Sequence, residues 1–229
     1  MSMDTEILLF LNGFVGQSHY FDNGVKMLEN PILKALPFVL ALVYFWFKED
    51  DAQADRRRMV LTTIIVSMVA IAVGLLMATI LPDRLRPLHD PDIQILMPQG
   101  HTDEILKGWS SMPSDHAVYF AAMCTFLVWM SRPIGLFFSV YAFLFVLLPR
   151  VYFGWHWPTD ILVGALIGIT VSLMLARPVL WMIKRAHLVG QMLRLPQFSY
   201  PALIFVAFQM ATMFESLRDL LGDLVRAVI

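Results

Sequence analysis

The stretch Met59–Leu81, MVLTTIIVSMVAIAVGLLMATIL, runs without a single charged residue and directly follows Arg56-Arg57-Arg58. A bilayer core of about 30 Å needs roughly 20 helical residues to cross it, because each backbone polar group must find its partner inside the segment. Met59–Leu81 therefore reads as a transmembrane helix. Downstream, Ala117–Met130 and Ile134–Leu148 are two more apolar runs, parted by Ser131-Arg132-Pro133. Ile161–Ile183 is another, with Arg177 near its far end. At 1.5 Å per residue Arg177 lies about 26 Å from Asp160, near enough to the opposite interface to snorkel. Upstream, Pro31–Phe47 is a weaker span interrupted by Lys34 and Pro37, and residues 4–16 read as a short amphipathic helix. From Tyr200 the chain is apolar only over Pro201–Phe214 before Glu215, Arg218, Asp219, Asp223 and Arg226. That end is expected to be an interfacial amphipathic helix, with a sixth span as the alternative. The expectation is an all-α integral membrane bundle of about five transmembrane helices with flanking amphipathic helices. Residues 1–199 form the membrane domain and 200–229 a C-terminal membrane-associated helix.

Composition agrees. Of 229 residues, 58% are hydrophobic and 15% charged, whereas ordinary soluble domains carry about 25% charge. A net charge of −1 without a basic tract argues against a nucleic-acid partner. The single cysteine, Cys124, excludes an intrachain disulfide or a thiolate metal cluster. The acidic start, Met-Ser-Met-Asp-Thr-Glu, has no basic region leading into an apolar core, so no cleavable signal peptide is read. Basic residues cluster at Lys48 and Arg56–Arg58, at Arg132, and at Lys184, Arg185 and Arg194. Five spans put all three segments on one side, cytoplasmic by the positive-inside rule. The loops 82–113 and 149–159 then share the outer face. Gly164 and Gly168 make a small-xxx-small pair that reads as a helix-packing face.

Those two loops hold the polar residues hardest to explain by packing. His156 and Asp160 are four apart at the start of a helix, hence on one face. An Asp beside a His fixes its tautomer and raises its basicity, which suits a nitrogen nucleophile. Ser114, after Pro113, is placed to N-cap the following span, and a helix N-terminus binds phosphate readily. Arg86 and Arg150 can clamp non-bridging oxygens, and His116 lies within reach of a leaving-group oxygen. Nucleophile, orienter, acid, anion cradle and charge clamp are the parts that phosphoryl transfer asks for.

The motifs that carry this set are Pro113-Ser114-Asp115-His116, then Arg150, His156 and Asp160, with Arg86-Pro87 upstream. The chain thereby resembles the type 2 phosphatidic acid phosphatase superfamily over roughly Met59–Ile183. Its bacterial undecaprenyl-diphosphate phosphatases look similar in size, in the Pro-Ser-Asp-His form and in the Gly154–Gly164 run. The resemblance implies His156 as nucleophile, Asp160 as its orienter and His116 as general acid. Arg86, Arg150 and Ser114 would hold the phosphoryl group, with Asp115 and Arg84 grouped beside them and no metal or cofactor. Two positions depart from the family pattern. The Lys of its first motif falls at Thr79, with Arg84 as a substitute from another angle, and Pro149 replaces the Ser before Arg150.

The expected function is hydrolysis of a long-chain lipid phosphate or diphosphate at the outer face of a bacterial inner membrane, most simply undecaprenyl diphosphate to the monophosphate. A phosphatidylglycerophosphate, phosphatidate or lipid A phosphatase, a lipid phosphotransferase, and a non-catalytic lipid-binding transporter or assembly factor are the alternatives. Its partners are the substrate lipid and the membrane lipids; no oligomeric state is legible. His89, Asp90, Asp92, His101 and Asp103 match no compact ligand spacing and read as a solvated loop rather than a metal site. Trp109, Trp155 and Trp157 read as interfacial anchors, or as a lining for lipid-tail entry. The apolar piece Ile93–Met97 reads as interfacial, suited to a lateral gate.

Overall fold

A computed structural model describes residues 2–97 and 108–212. The chain opens with α1 (Met3–Asn12) and α2 (His19–Met27), capped by the hydroxyls of Ser2 and Ser18. The helix α3 (Pro31–Phe47) starts at an Asn30 cap with Pro31 in its first turn, and α4 (Gln53–Ile80) follows. After the first long loop come α5 (Asp115–Met130) and α6 (Arg132–Tyr141), a π-helical segment (Ala142–Leu147), and α7 (Leu148–Tyr152). The helices α8 (Pro158–Arg185), α9 (Leu188–Arg194) and α10 (Pro196–Ala211) complete the described chain. There is no strand among the described residues.

This is a membrane helical bundle. The helix α4, the continuous run Arg132–Tyr152 and α8 are long and apolar enough to cross a bilayer, and α2 with α3 forms one broken pass bent by 48°. Between them α5 makes a short pass of about 24 Å, at 1.5 Å per residue. Leu75, Leu76, Leu162, Leu166, Leu173 and Met174 are exposed on the outside, as lipid-facing side chains must be. A helix apolar all round belongs in the interior. Accordingly α5 is the hub, with Tyr119, Phe120, Met123, Phe126 and Leu127 fully buried.

The small-residue pair does what the spacing anticipates. A Cβ on Gly168 would lie 2.2 Å from the Val118 carbonyl oxygen, and one on Gly164 would lie 2.5 Å from that of Ser114. Helices α5 and α8 thus meet backbone to backbone, close enough for the Ser114 N–H to donate to the Asp160 carbonyl at 3.2 Å. Two of the three chemical motifs are joined by that contact.

Four expectations change. The helix α2 was not read from the sequence, because its polar residues hide any apolar run. The N-terminal helix ends at Asn12 rather than 16. The fourth span does not stop at Leu148: it continues through Pro149 to Tyr152, so Arg150 is helical and not in a loop. Pro149 lacks an N–H and its ring crowds the carbonyl four residues back, and the wide π turns just before it absorb that mismatch. The C-terminal helix begins at Pro196 and packs on α3, while residues 213–229, with the charges from Glu215 to Arg226, lie outside the described residues.

The ends of the bundle sort as the topology requires. Lys184 Nζ is 3.8 Å from Asp55 Oδ1, and the Arg57 Nε–H donates to the Trp46 carbonyl at 3.1 Å, so the basic ends of α3, α4 and α8 share one pole. The loops after α4 and α7 share the other, with α1 across them. There the Asn12 side chain exchanges hydrogen bonds with the Leu96 backbone and donates to the Tyr152 carbonyl. Ile93 and Ile95 pack on the core while Leu96 and Met97 face outward, so the apolar piece Ile93–Met97 is pinned to the bundle.

Candidate active site

His156 is delivered by a turn wound around one carbonyl. The N–H groups of Trp155 and His156 both donate to the Arg150 carbonyl, at 2.9 and 3.2 Å. Gly154, at φ +69°, supplies the left-handed residue the turn needs. His156 is 3% exposed, and its Nδ1 lies 2.8 Å from the Ser111 carbonyl. A carbonyl only accepts, so Nδ1 carries the proton and Nε2 keeps its lone pair. Asp160 is 3.7 Å from Nδ1, within electrostatic reach but beyond a hydrogen bond. The tautomer expected from Asp160 is therefore set by Ser111, and His156 precedes α8 rather than lying on it. Asp160 is held in turn by the Ser111 hydroxyl at 2.5 Å, the Trp157 N–H at 2.8 Å and Arg84 at 2.7 Å. Burial pulls the His156 imidazole below its ordinary range; Asp160 opposes this and the Arg86 charge adds to it.

Arg86 faces the open nitrogen. Its guanidinium donates to the Trp109, Trp155 and Ser110 carbonyls at 3.2, 2.7 and 3.2 Å, and Nη1 lies 3.3 Å from His156 Nε2. Burial lowers it from its ordinary value, with Asp115 and Asp160 opposing, and an arginine remains a cation throughout. Arg86 thus ties three loop carbonyls together while aiming one donor at His156 Nε2.

His116 stands on the first turn of α5, opposite Arg150. Its Nδ1 pairs with Asp115 Oδ1 at 2.8 Å, and its Nε2 accepts from Arg150 Nη2 at 2.5 Å. Arg150, 5% exposed, lies over the Trp155 ring at 4.8 Å and reaches Glu29 Oε2 at 3.1 Å. Ser114 caps α5 weakly, its hydroxyl 3.5 Å from the Ala117 N–H. The Asp115 carboxylate accepts the His116 N–H at 2.8 Å. The first-turn N–H groups expected to be free are therefore partly occupied by the chain's own side chains.

Seven of the eight sequence-selected residues converge here: His156, His116, Asp160, Arg86, Arg150, Ser114 and Asp115. Arg84 does not face the pocket. It sits behind Asp160, paired with Asp4 at 2.7 Å, bonded to Thr159 and stacked over Trp157 at 5.0 Å. It supports the Asp160 carboxylate, with Nη1 2.7 Å from Oδ1. Thr79 turns its hydroxyl to the Leu76 carbonyl of its own helix. Trp155 and Trp157, expected at the interface, are buried packing around the site, and the Trp157 indole donates to the Leu85 carbonyl. Trp109 is exposed. Among the described residues no group of His, Cys, Asp and Glu is arranged to hold a metal ion; His101 and Asp103 lie outside them. Ser111 and Glu29 were not read from the sequence. Ser111 acts through a carbonyl that every residue possesses, and Glu29 is distant in sequence from every motif.

The sequence profile of the PAP2 superfamily matches residues 58–184, which carry all three motifs. The chain is similar to the lipid A 1-diphosphate synthase of Escherichia coli (strain K12), 25% identical over 178 residues covering 76% of this chain and 74% of the relative. No solved structure matches significantly.

Proposed function

The chain belongs to the PAP2 superfamily, a lipid-phosphatase type of membrane enzyme, and from that premise we propose that it hydrolyses a long-chain lipid diphosphate through a phosphohistidine on His156. The observation that carries the reading is the Nε2 of His156, left with its lone pair because Ser111 holds the proton on the far nitrogen, and facing an arginine donor 3.3 Å away. Nε2 attacks phosphorus, the P–N bond forms and the P–O bond to the leaving group breaks. Arg86 and Arg150 bear the charge on the non-bridging oxygens, the kind of contact that strengthens as charge develops. Substrate draws Arg150 away from His116, whose freed Nε2 takes a proton from solvent and passes it to the leaving oxygen. Neutral His116 then accepts a proton from water as that water attacks the phosphohistidine, the P–N bond breaks and phosphate is released; His116 returns that proton to solvent, so both imidazoles are restored. Asp160, Ser111 and Asp115 position the two histidines.

Undecaprenyl diphosphate is the proposed substrate and the outer face of a bacterial inner membrane the proposed location. A diphosphate leaving group departs as a phosphate and needs less protonation than an alkoxide. Release of phosphate from a panel of pure lipids in detergent tests this. Polyprenyl diphosphate should exceed phosphatidate in kcat/KM, and His156→Ala should be inactive on every substrate. Release of phosphate from none of them by the wild type, or an active His156→Ala, would end the proposal. A second reading has support in the name of the E. coli relative, which is that of an enzyme making a lipid diphosphate. In it a lipid phosphate replaces water as acceptor, and transfer of labelled phosphate to an added lipid, at the expense of free phosphate, would favour it.

A further inference from the structure

Beyond His116, Arg150 leads to charges that the mechanism above leaves without work. Lys34 lies in the first turns of α3, 6% exposed, and Glu29 lies in the bend between α2 and α3. Glu29 Oε2 is 3.1 Å from Arg150 Nη1 and 3.8 Å from Lys34 Nζ, so a single carboxylate oxygen serves two cations. The other oxygen, Oε1, is buried without a hydrogen-bond partner, and so is Arg150 Nε. Lys34 is also close enough for its charge to act on the His116 imidazole. An ionisable side chain kept at that depth in a membrane protein is costly and points to function.

A chain of contacts runs from His116 through Arg150 and Glu29 to Lys34, while the His156–Arg86 pair stands on the turn wound around the Arg150 carbonyl. The attacked phosphorus belongs at the His156–Arg86 pair and the leaving oxygen at His116. Whatever the leaving oxygen is attached to extends toward Arg150 and Lys34. In a diphosphate ester that is a second phosphate. We propose that Lys34 forms the subsite for the retained phosphate of a lipid diphosphate, with Arg150 bridging that phosphate to the attacked phosphoryl group and Glu29 as the internal stand-in while the site is empty. The inference rests on the phosphatase reading of His156 and names its substrate class. An incoming phosphate brings more charge and more oxygens than one carboxylate, so it displaces Glu29 from both cations and gives Arg150 Nε a partner.

The test compares a polyprenyl diphosphate with the monophosphate of the same chain length, using full-length enzyme in detergent. Lys34→Met should lower kcat/KM on the diphosphate at least tenfold further than on the monophosphate, and Lys34→Arg should recover most of that gap. Losses equal within a factor of two, or a larger loss on the monophosphate, overturn the subsite. If Lys34→Met does not fold, the wild type decides: inorganic pyrophosphate should inhibit at least tenfold more tightly than orthophosphate, and equal inhibition overturns the proposal. A wild type inactive on every lipid phosphate defeats the phosphatase reading instead. In that event thermal stabilisation by pyrophosphate over orthophosphate, present in wild type and lost in Lys34→Gln, supports the subsite, and its absence in wild type overturns it.

Discussion

At the scale of single residues, the proposed attack by His156 requires that Nε2 keep its lone pair, so acid should inactivate the enzyme by protonating it. Burial and the Arg86 cation hold this imidazole below its ordinary value of about 6.5. The acid limb of kcat/KM, which reports the free enzyme, should therefore lie below pH 6.5, with activity retained as the pH falls through that value. Asp160 favours the protonated ring. Asp160→Asn should move the limb further toward acid while lowering the plateau, because the positive charge built on the ring in attack loses its counter-charge. A limb above 6.5, or one that moves toward alkali in Asp160→Asn, would contradict the assignment. The sequence placed His156 near Asp160 by a helical spacing, and the two are 3.7 Å apart, but the turn wound around the Arg150 carbonyl ahead of α8 brings His156 there. The Ser111 carbonyl that decides the tautomer had no such signature. Lys34 did leave a trace, as a charge inside an apolar span, but the Glu29 it pairs with lies in a helix bend, and the Arg150 that shares this carboxylate lies in α7.

At the scale of elements, the site depends on how closely α5 approaches α8. Gly168 leaves no room for a Cβ against the Val118 carbonyl, and backbone cannot yield as a flexible side chain does. Gly168→Ala should cost about 1–3 kcal/mol, the usual penalty of overpacking, and lower the thermal midpoint in detergent. It should also lower activity, because Ser114 and Asp160 would be pushed apart. Gly190, in α9, has open space at its Cβ position. Gly190→Ala should leave the midpoint unchanged or raise it slightly, since Ala is the better helix former. Equal midpoints for the two variants would mean that the α5–α8 contact is looser than described. The small-xxx-small pattern announced a packing face; which helix it meets is a matter of topology. Likewise Pro149 signalled a helix end by its chemistry, and only the π turns over Ala142–Leu147 show how the helix passes through it.

At the scale of the whole molecule, the two motif-bearing loops must lie on one side of the membrane. Trp109→Cys, at an exposed position near the pocket, should react with an impermeant thiol reagent from outside intact cells. Lys184→Cys, at the opposite pole beside Asp55, should react only after permeabilisation. Cys124 is buried and gives little background. Labelling of both from the same side would break the five-pass topology, and the reversed pattern would move the site to the cytoplasmic face. The class of the molecule and most of its passes follow from the sequence alone. A bilayer imposes a length and an apolarity on each crossing, and both are properties of contiguous residues. The histidines, Asp160 and the two pocket arginines were equally legible, because charged and titratable groups at the mouths of apolar helices need a reason to be there. What only the tertiary structure decided is how each charge is spent. Arg84 turns to Asp4 and Asp160, Arg150 to His116 and Glu29, and Lys34 joins the pocket from a helix outside the matched region. A charge chooses its partner by distance in space, and here the deciding distances are between residues far apart along the chain.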